Sequence, residues 1–527
     1  MRKFILFLLV GVALHAEAQD QAAIKYAGLL TPEDARKHLA VLASDEFEGR
    51  ETGTKGARMA ADYIAGEFRK LGLKAPVNGS YFQEVGLVES KFVLEKFQVN
   101  GTHLENLKDL FISSSNNKKK IKAESIVFAG YGISADGYDD LKGIDITGKV
   151  VLIAGRGEPV KNGVSIISRS SEVSDWSTTR AKRIANLQSR KPALILAVNP
   201  ELAEGLRQAG KHLAEPSISL KDENPVKQAV EADVIQLTPE SANIFLKKTG
   251  KTYNQLLAAI SATGKPASVS FKADLETSYG IETRDVKAAN VLGYLEGSDL
   301  KEELLVVSAH YDHVGLNPDG PDKVFNGADD DGSGTTAILE MARVFSKAKQ
   351  EGKGPRRSIL FLAVVGEEKG LLGSEWYSEH PVFPLKNTVT NLNIDMIGRV
   401  DPAHKDIPDY IYLIGSDKLS TQLHAISENA NATYTKLKID YKYNDPNDPE
   451  RIYYRSDHYN FAKHGIPIIF YFNGVHEDYH KVSDEIEKID FPLLTKRAQL
   501  VFYTAWDIVN RDSRPVVDVA NDMPQGR

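Results

Sequence analysis

Residues 326–336, NGADDDGSGTT, set three carboxylates side by side, Asp329, Asp330 and Asp331, ahead of a glycine pair and an apolar run. Like charges at that spacing repel, so a fold must leave them in water or neutralise them. Four apolar runs elsewhere end in further groups of the same kind. ELLVVSAH (303–310) ends in His310-Tyr311-Asp312, and RSILFLAVVG (357–366) runs into Glu367-Glu368. TVTNLNIDM (388–396) contains Asp395, and IPIIFYFNG (466–474) leads to His480. Each alone reads as solvated polar surface, but five together in a chain with only 13 histidines point to one site. The chain has no cysteine, so a metal here must be held by imidazole and carboxylate. That donor set suits zinc, and one carboxylate can bridge two ions. The spacing His310-x-Asp312 allows a carboxylate to accept the second imidazole N–H and fix its tautomer. Of the adjacent Glu367 and Glu368, one can ligate while the other takes a proton from water.

Continuous rather than alternating apolar runs, with helical segments between them, predict an α/β fold whose mostly parallel sheet is buried on both faces by helices. One such helix is expected from about Gly334 to Lys347. In sheets of this kind functional groups gather at the carboxyl ends of the strands, where all five groups fall. Upstream, Thr31-Pro32-Glu33-Asp34 reads as a capped helix start. Ala60, Ile64, Phe68 and Leu71 repeat at helical spacing up to Gly72. Between about 125 and 275 the runs SIVFAGYGI, GKVVLIAG, PALILAVNP, VIQLT and ASVSFKAD predict a separate β-rich module, with a helix over TTRAKRIANLQ. The polar, basic stretch 113–124 marks a surface boundary before it.

SAHYDHVG, GADDDGSG, VVGEEKGLLGS, NIDMIG and EDYHKVSD, in this order, resemble the secreted di-zinc aminopeptidase family that also contains the glutamate carboxypeptidase II group. The resemblance covers roughly residues 28–115 and 285–512. SIVFAGYGI with DITGKVVLIAGRG is similar to the protease-associated domain that family often carries as an insert. The resemblance implies two zinc ions bridged by Asp330, with His310 and Asp395 completing one and Glu368 and His480 the other. It implies Glu367 as general base, Asp312 as the group orienting His310, and a cis peptide from Asp330 to Asp331. Tyr479 matches a position whose hydroxyl helps polarise the substrate carbonyl in some members. The implied organisation is a signal peptide over 1–18, the amino-terminal part of the peptidase domain over 19–120 and the insert over 121–280. The catalytic domain then covers 281–512 and a tail 513–527. The implied reaction is metal-assisted hydrolysis of a peptide bond, with an aminopeptidase favoured over a carboxypeptidase or dipeptidase.

Composition narrows the partners. At 527 residues the chain is too long for one ordinary core. A formal net charge of −7 gives no basic surface for nucleic acid. The first eighteen residues carry Arg2 and Lys3, an apolar run from Phe4 to Leu14, and Ala16-Glu17-Ala18. They predict a signal peptide cut after Ala18 and a secreted or periplasmic protein, the run being too short for a membrane anchor. Peptides are the expected substrates, and oligomeric state has no signature in the chain.

Two other motifs compete. HEDYH (476–480) matches the His-Glu-x-x-His zinc motif, which needs both histidines on one helix face. The β-branched and aromatic run before it and Asn473-Gly474 predict a loop instead. A calcium loop with Gly332 at its sixth position would put Gly327 first and Ile338 twelfth, where acidic ligands are required. A receptor-like binding protein without catalysis would lack ligands or base, and all are present. Arg455, in YYRSDHYNF, reads either as an anchor for a substrate terminus or as a structural cation paired with Asp457.

Overall fold

The structure is a computed structural model that describes residues 19–112, 118–222 and 231–524. The signal sequence expected over 1–18 lies outside the described residues, as does 113–117 of the polar boundary. Two compact units divide the chain: residues up to 87 together with those from 286 onward, and residues 88–285.

In the first unit seven successive strands of a larger sheet carry the site. We number them β1 (Val269–Leu295, of which residues from 286 onward belong here), β2 (Leu300–His310), β3 (Arg357–Val364), β4 (Thr388–Ile394), β5 (Tyr410–Ile414), β6 (Lys438–Asp440) and β7 (Ile468–Phe472). Their order is β6-β5-β7-β4-β2-β3-β1. The central four, β7, β4, β2 and β3, are mutually parallel, with β5 and β1 antiparallel to their neighbours at either side. Every residue of β3, β4 and β7 is buried, as a sheet covered on both faces requires.

The helices of this unit include α1 (Pro32–Leu42), α2 (Lys55–Lys70), α3 (Gly332–Gln350), α4 (Leu372–Glu379) and α5 (Phe491–Asn510). Thr31 caps α1 by accepting the Asp34 N–H, and Pro32 occupies its first turn. Helices α3 and α5 pack on the sheet and on each other. Phe345 of α3 lies 4.8 Å from Phe502 and 5.9 Å from Trp506 of α5, and 6.4 Å from Phe361 of β3. Helix α3 starts two residues ahead of the expected Gly334, because Asp331 rather than a later residue supplies the cap. Among the described residues no helix is long and apolar enough to cross a membrane.

The second unit, 88–285, has its own parallel strands, Lys119–Phe128, Val150–Ala154, Leu194–Val198 and Asp233–Leu237. Leu110–Ile112 runs antiparallel at the edge. The helices Arg180–Gln188, Pro239–Leu246 and Tyr253–Thr263 accompany the strands, so this unit is less purely β than its sequence predicts. Its core includes Phe128, Leu152, Leu196, Leu237, Phe245 and Ile260.

Candidate metal centre

The carboxyl ends of the parallel strands converge. His310 is the last residue of β2, and Asp395 directly follows β4. After β3, Gly366 adopts φ 77° and turns the chain into Glu367 and Glu368. After β7, Gly474 at φ 88° starts the loop that holds His476 to His480. That loop is turn rather than helix, and its two histidines face different acids. Nε2 of His480 lies 3.0 Å from Asp330 Oδ2, and Nε2 of His476 lies 3.2 Å from Asp329 Oδ2. The helical zinc motif is therefore absent from HEDYH.

The aspartate triplet divides into three roles. Asp331 caps α3, taking the Gly334 N–H at 2.8 Å, and also accepts from Met396 N and His310 N. Asp329 takes the Gly398 N–H at 2.6 Å and faces His476. Only Asp330 turns both oxygens into the cluster, and it joins Asp331 through a cis peptide. Its Oδ1 stands 3.3 Å from His310 Nε2, while Oδ2 faces His480. Asp484 holds the backbone behind it by accepting N–H groups of both Asp329 and Asp330.

Two groups of donors result, both including Asp330. One is His310, Asp330 and Asp395; the other is His313, Asp330, Glu368 and His480. Asp395 Oδ1 is 3.7 Å from His310 Nε2, and Glu368 Oε2 is 3.0 Å from His480 Nε2. His310 Nε2 is buried without a hydrogen-bond partner, a costly state for a polar atom that a cation would relieve. Imidazole nitrogen and carboxylate oxygen without sulfur is a zinc donor set, so the residues fit that ion.

The electrostatics also call for cations. Burial opposes a charge on Asp330, yet His310 and His480 outweigh it and hold the carboxyl well below its usual range. Burial likewise opposes protonation of His480, but Asp330 and Glu368 push its pKa up to about 10. Glu367 goes the other way, raised well above the ordinary carboxylate value by burial first and then by Glu368 and Asp395, against the pull of His310.

These residues lie inside a stretch with known relatives. Residues 290–505 match the model of Peptidase family M28. That stretch is similar to the peptidase domain of this family. The chain is 29% identical over 234 residues to aminopeptidase YwaD of Bacillus subtilis (strain 168), covering 43% of this chain and 46% of that protein. It is 31% identical over 213 residues to a probable leucine aminopeptidase of Trichophyton verrucosum (strain HKI 0517), covering 39% and 54%. The chain thus spans about half the length of these curated relatives. Among solved structures, an aminopeptidase from Aneurinibacillus sp. strain AM-1 superposes with a TM-score of 0.49 and 16% identity, over 96% of this chain and 98% of the other.

Two features of the site differ from the sequence expectation. The Nδ1 of His310 is 3.0 Å from the backbone carbonyl of Asp312, while the Asp312 carboxylate stands off at 3.8 Å. That carboxylate instead accepts Thr52 Oγ1 at 2.7 Å and the Glu367 N–H at 3.3 Å, so Asp312 positions the peptide of Glu367. The second feature is His313, wholly buried and 2.9 Å from Glu368 Oε1. His313 directly follows His310-x-Asp312, yet spacing along the chain assigns it no role.

A pocket opens beside the cluster. Asp330, Glu367 and Asp395 form its polar side, and Met396, Ile452, Phe470, Phe472 and Val475 its apolar side. Tyr479 and Arg455 also line it. Tyr479 stacks on His480 with ring centroids 3.9 Å apart and places its hydroxyl 3.5 Å from Arg455 Nη2. Asp457 does not serve as the Arg455 counter-ion suggested by spacing, because it is buried and takes Ser374 Oγ at 2.5 Å.

Proposed function

We propose that this protein is a zinc-dependent aminopeptidase that releases amino-terminal residues from peptides, using two ions that share Asp330. The observation that carries this reading is the pair of donor groups meeting at Asp330, with Glu367 outside both of them. His310 and Asp395 would hold one ion, and Glu368 and His480 the other. Bound zinc supplies Lewis acidity, polarising a carbonyl and lowering the pKa of a water. Glu367, with Oε2 3.9 Å from His310 Nε2, accepts the proton of the attacking water. It returns that proton to the amine as the peptide bond breaks. Asp312 holds the Glu367 backbone in place, and Tyr479 Oη is available to the substrate carbonyl. The apolar wall of Met396, Ile452, Phe470, Phe472 and Val475 fits an apolar first side chain.

Arg455 supports a second reading as a carboxypeptidase or dipeptidase, since a guanidinium in the pocket can grip an α-carboxylate. Peptides with free termini, with a blocked amine and with a blocked carboxylate separate the two. Loss of cleavage on blocking the amine alone supports the aminopeptidase; loss on blocking the carboxylate alone supports the other reading. Export rests on the basic start and apolar run of residues 1–18, and the unit 88–285 is assigned here as a protease-associated-like insert.

A further inference from the structure

His313 lies in the centre without a role in the reading above. Its ring is wholly buried, and Nδ1 is 2.9 Å from Glu368 Oε1 but 3.8 Å from Asp330 Oδ2. The other oxygen of Glu368, Oε2, faces His480. The two oxygens of one carboxylate are thus divided between two histidines. We propose that His313 is a positioning residue for Glu368: its Nδ1–H holds Oε1, which leaves Oε2 alone to bind the ion shared with Asp330 and His480. This rests on the metal centre proposed above.

Three observations support donation by Nδ1 over direct ligation. The first is the other ring nitrogen. Nε2 of His313 is buried without a hydrogen-bond partner. Ligation through the Nδ1 lone pair would move the proton to Nε2, where a buried N–H would have no acceptor. Donation from Nδ1 keeps the proton where a carboxylate takes it. The second is distance, because Nδ1 approaches the oxygen of Glu368 that faces away from His480.

The third is the way the ring is held. A Cβ on Gly327 would sit 2.5 Å from His313 Cδ2 and 2.6 Å from Cγ, so only glycine lets the chain pass the ring. Arg50 fixes that passage by donating Nη2 to the Gly327 carbonyl at 2.9 Å. The Arg50 carbonyl in turn accepts the His313 N–H at 3.2 Å. The ring also meets His480 edge-on, with centroids 5.6 Å apart and planes at 74°. Such outer hydrogen bonds orient a ligand, and one donated to a carboxylate also favours its ionised form.

The test compares zinc affinity of the metal-free wild type, His313→Ala and His313→Gln, by competition with a chromophoric chelator. The cobalt-substituted proteins are compared by visible absorption. His313→Ala is expected to weaken one class of bound zinc by about 10- to 100-fold and to leave the other unchanged. The side-chain amide of His313→Gln can still donate to Oε1, so affinity should return to near that of the wild type with the same cobalt spectrum. Unchanged zinc affinity in His313→Ala overturns the proposal. So does a cobalt band altered in His313→Gln, which would make His313 a ligand; that comparison stands even if the alanine variant does not fold. A wild type that binds no zinc would instead refute the metal centre itself.

Discussion

Nε2 of His480 and Oδ2 of Asp330 stand 3.0 Å apart, joining the loop after β7 to the start of α3. Asp330 also reaches His310 with its other oxygen, so one carboxylate ties both donor groups together. Its neighbours are committed elsewhere, Asp331 to the helix cap and Asp329 to His476 and Gly398 N.

Asp330→Asn should therefore abolish stoichiometric zinc binding, while Asp329→Asn should retain it. The second variant is expected to lose stability instead, by about 1–3 kcal/mol for a disturbed buried hydrogen-bonded group. Elemental analysis after dialysis and thermal melts read the two effects separately. Equal zinc loss in both variants would contradict the division of roles.

Glu367→Gln should keep its metal and lower kcat by about 10²- to 10⁴-fold, the range for loss of a positioned general base. Glu477→Gln should leave the rate unchanged, because Glu477 belongs to a turn and not to a zinc-binding helix. The opposite ranking would restore the helical motif.

Metal uptake should release protons. With its pKa raised to about 10 between Asp330 and Glu368, His480 is protonated at neutral pH in the metal-free protein and must lose that proton to bind zinc. Calorimetric titrations in buffers of different ionisation enthalpy should show net proton release near pH 7.5. Zinc affinity should rise with pH toward 10. The metal-free protein should follow the reverse course. A histidine pKa raised on folding stabilises fully below about 6.5, and that contribution is lost as pH rises toward 10. Its melting temperature should fall across that window.

Gly327→Ala should cost at least about 1 kcal/mol from the left-handed backbone at φ 54° alone. The added methyl would also press on His313 and on the Asp330 carbonyl at 2.4 Å. Zinc affinity should fall with stability. Loss of stability with wild-type zinc affinity would show that the passage beside His313 matters only to folding.

The sequence made the strand ends legible because uninterrupted apolar runs force a buried parallel sheet, and His310, Glu367, Asp395 and His480 all follow such runs. Two features stayed hidden, both dependent on backbone direction. Spacing allowed Asp312 to reach His310 through its carboxylate, yet the turn after β2 offers the carbonyl and sends the carboxylate to Thr52 and Glu367. His313 acquires meaning only through Glu368 at the end of another strand and through Gly327, neither of which is near it in sequence. The alternation SAHYDH was the one signal available, since it places a third titratable residue at the same strand end.

The central claim is that zinc held at the Asp330 cluster makes this chain a peptidase. The most direct measurement is a zinc titration of the chelated, metal-free protein, following hydrolysis of an amino-free peptide with an apolar first residue. No hydrolysis is expected without metal, and recovery should saturate at two zinc ions per chain. Hydrolysis that survives complete chelation would contradict that claim.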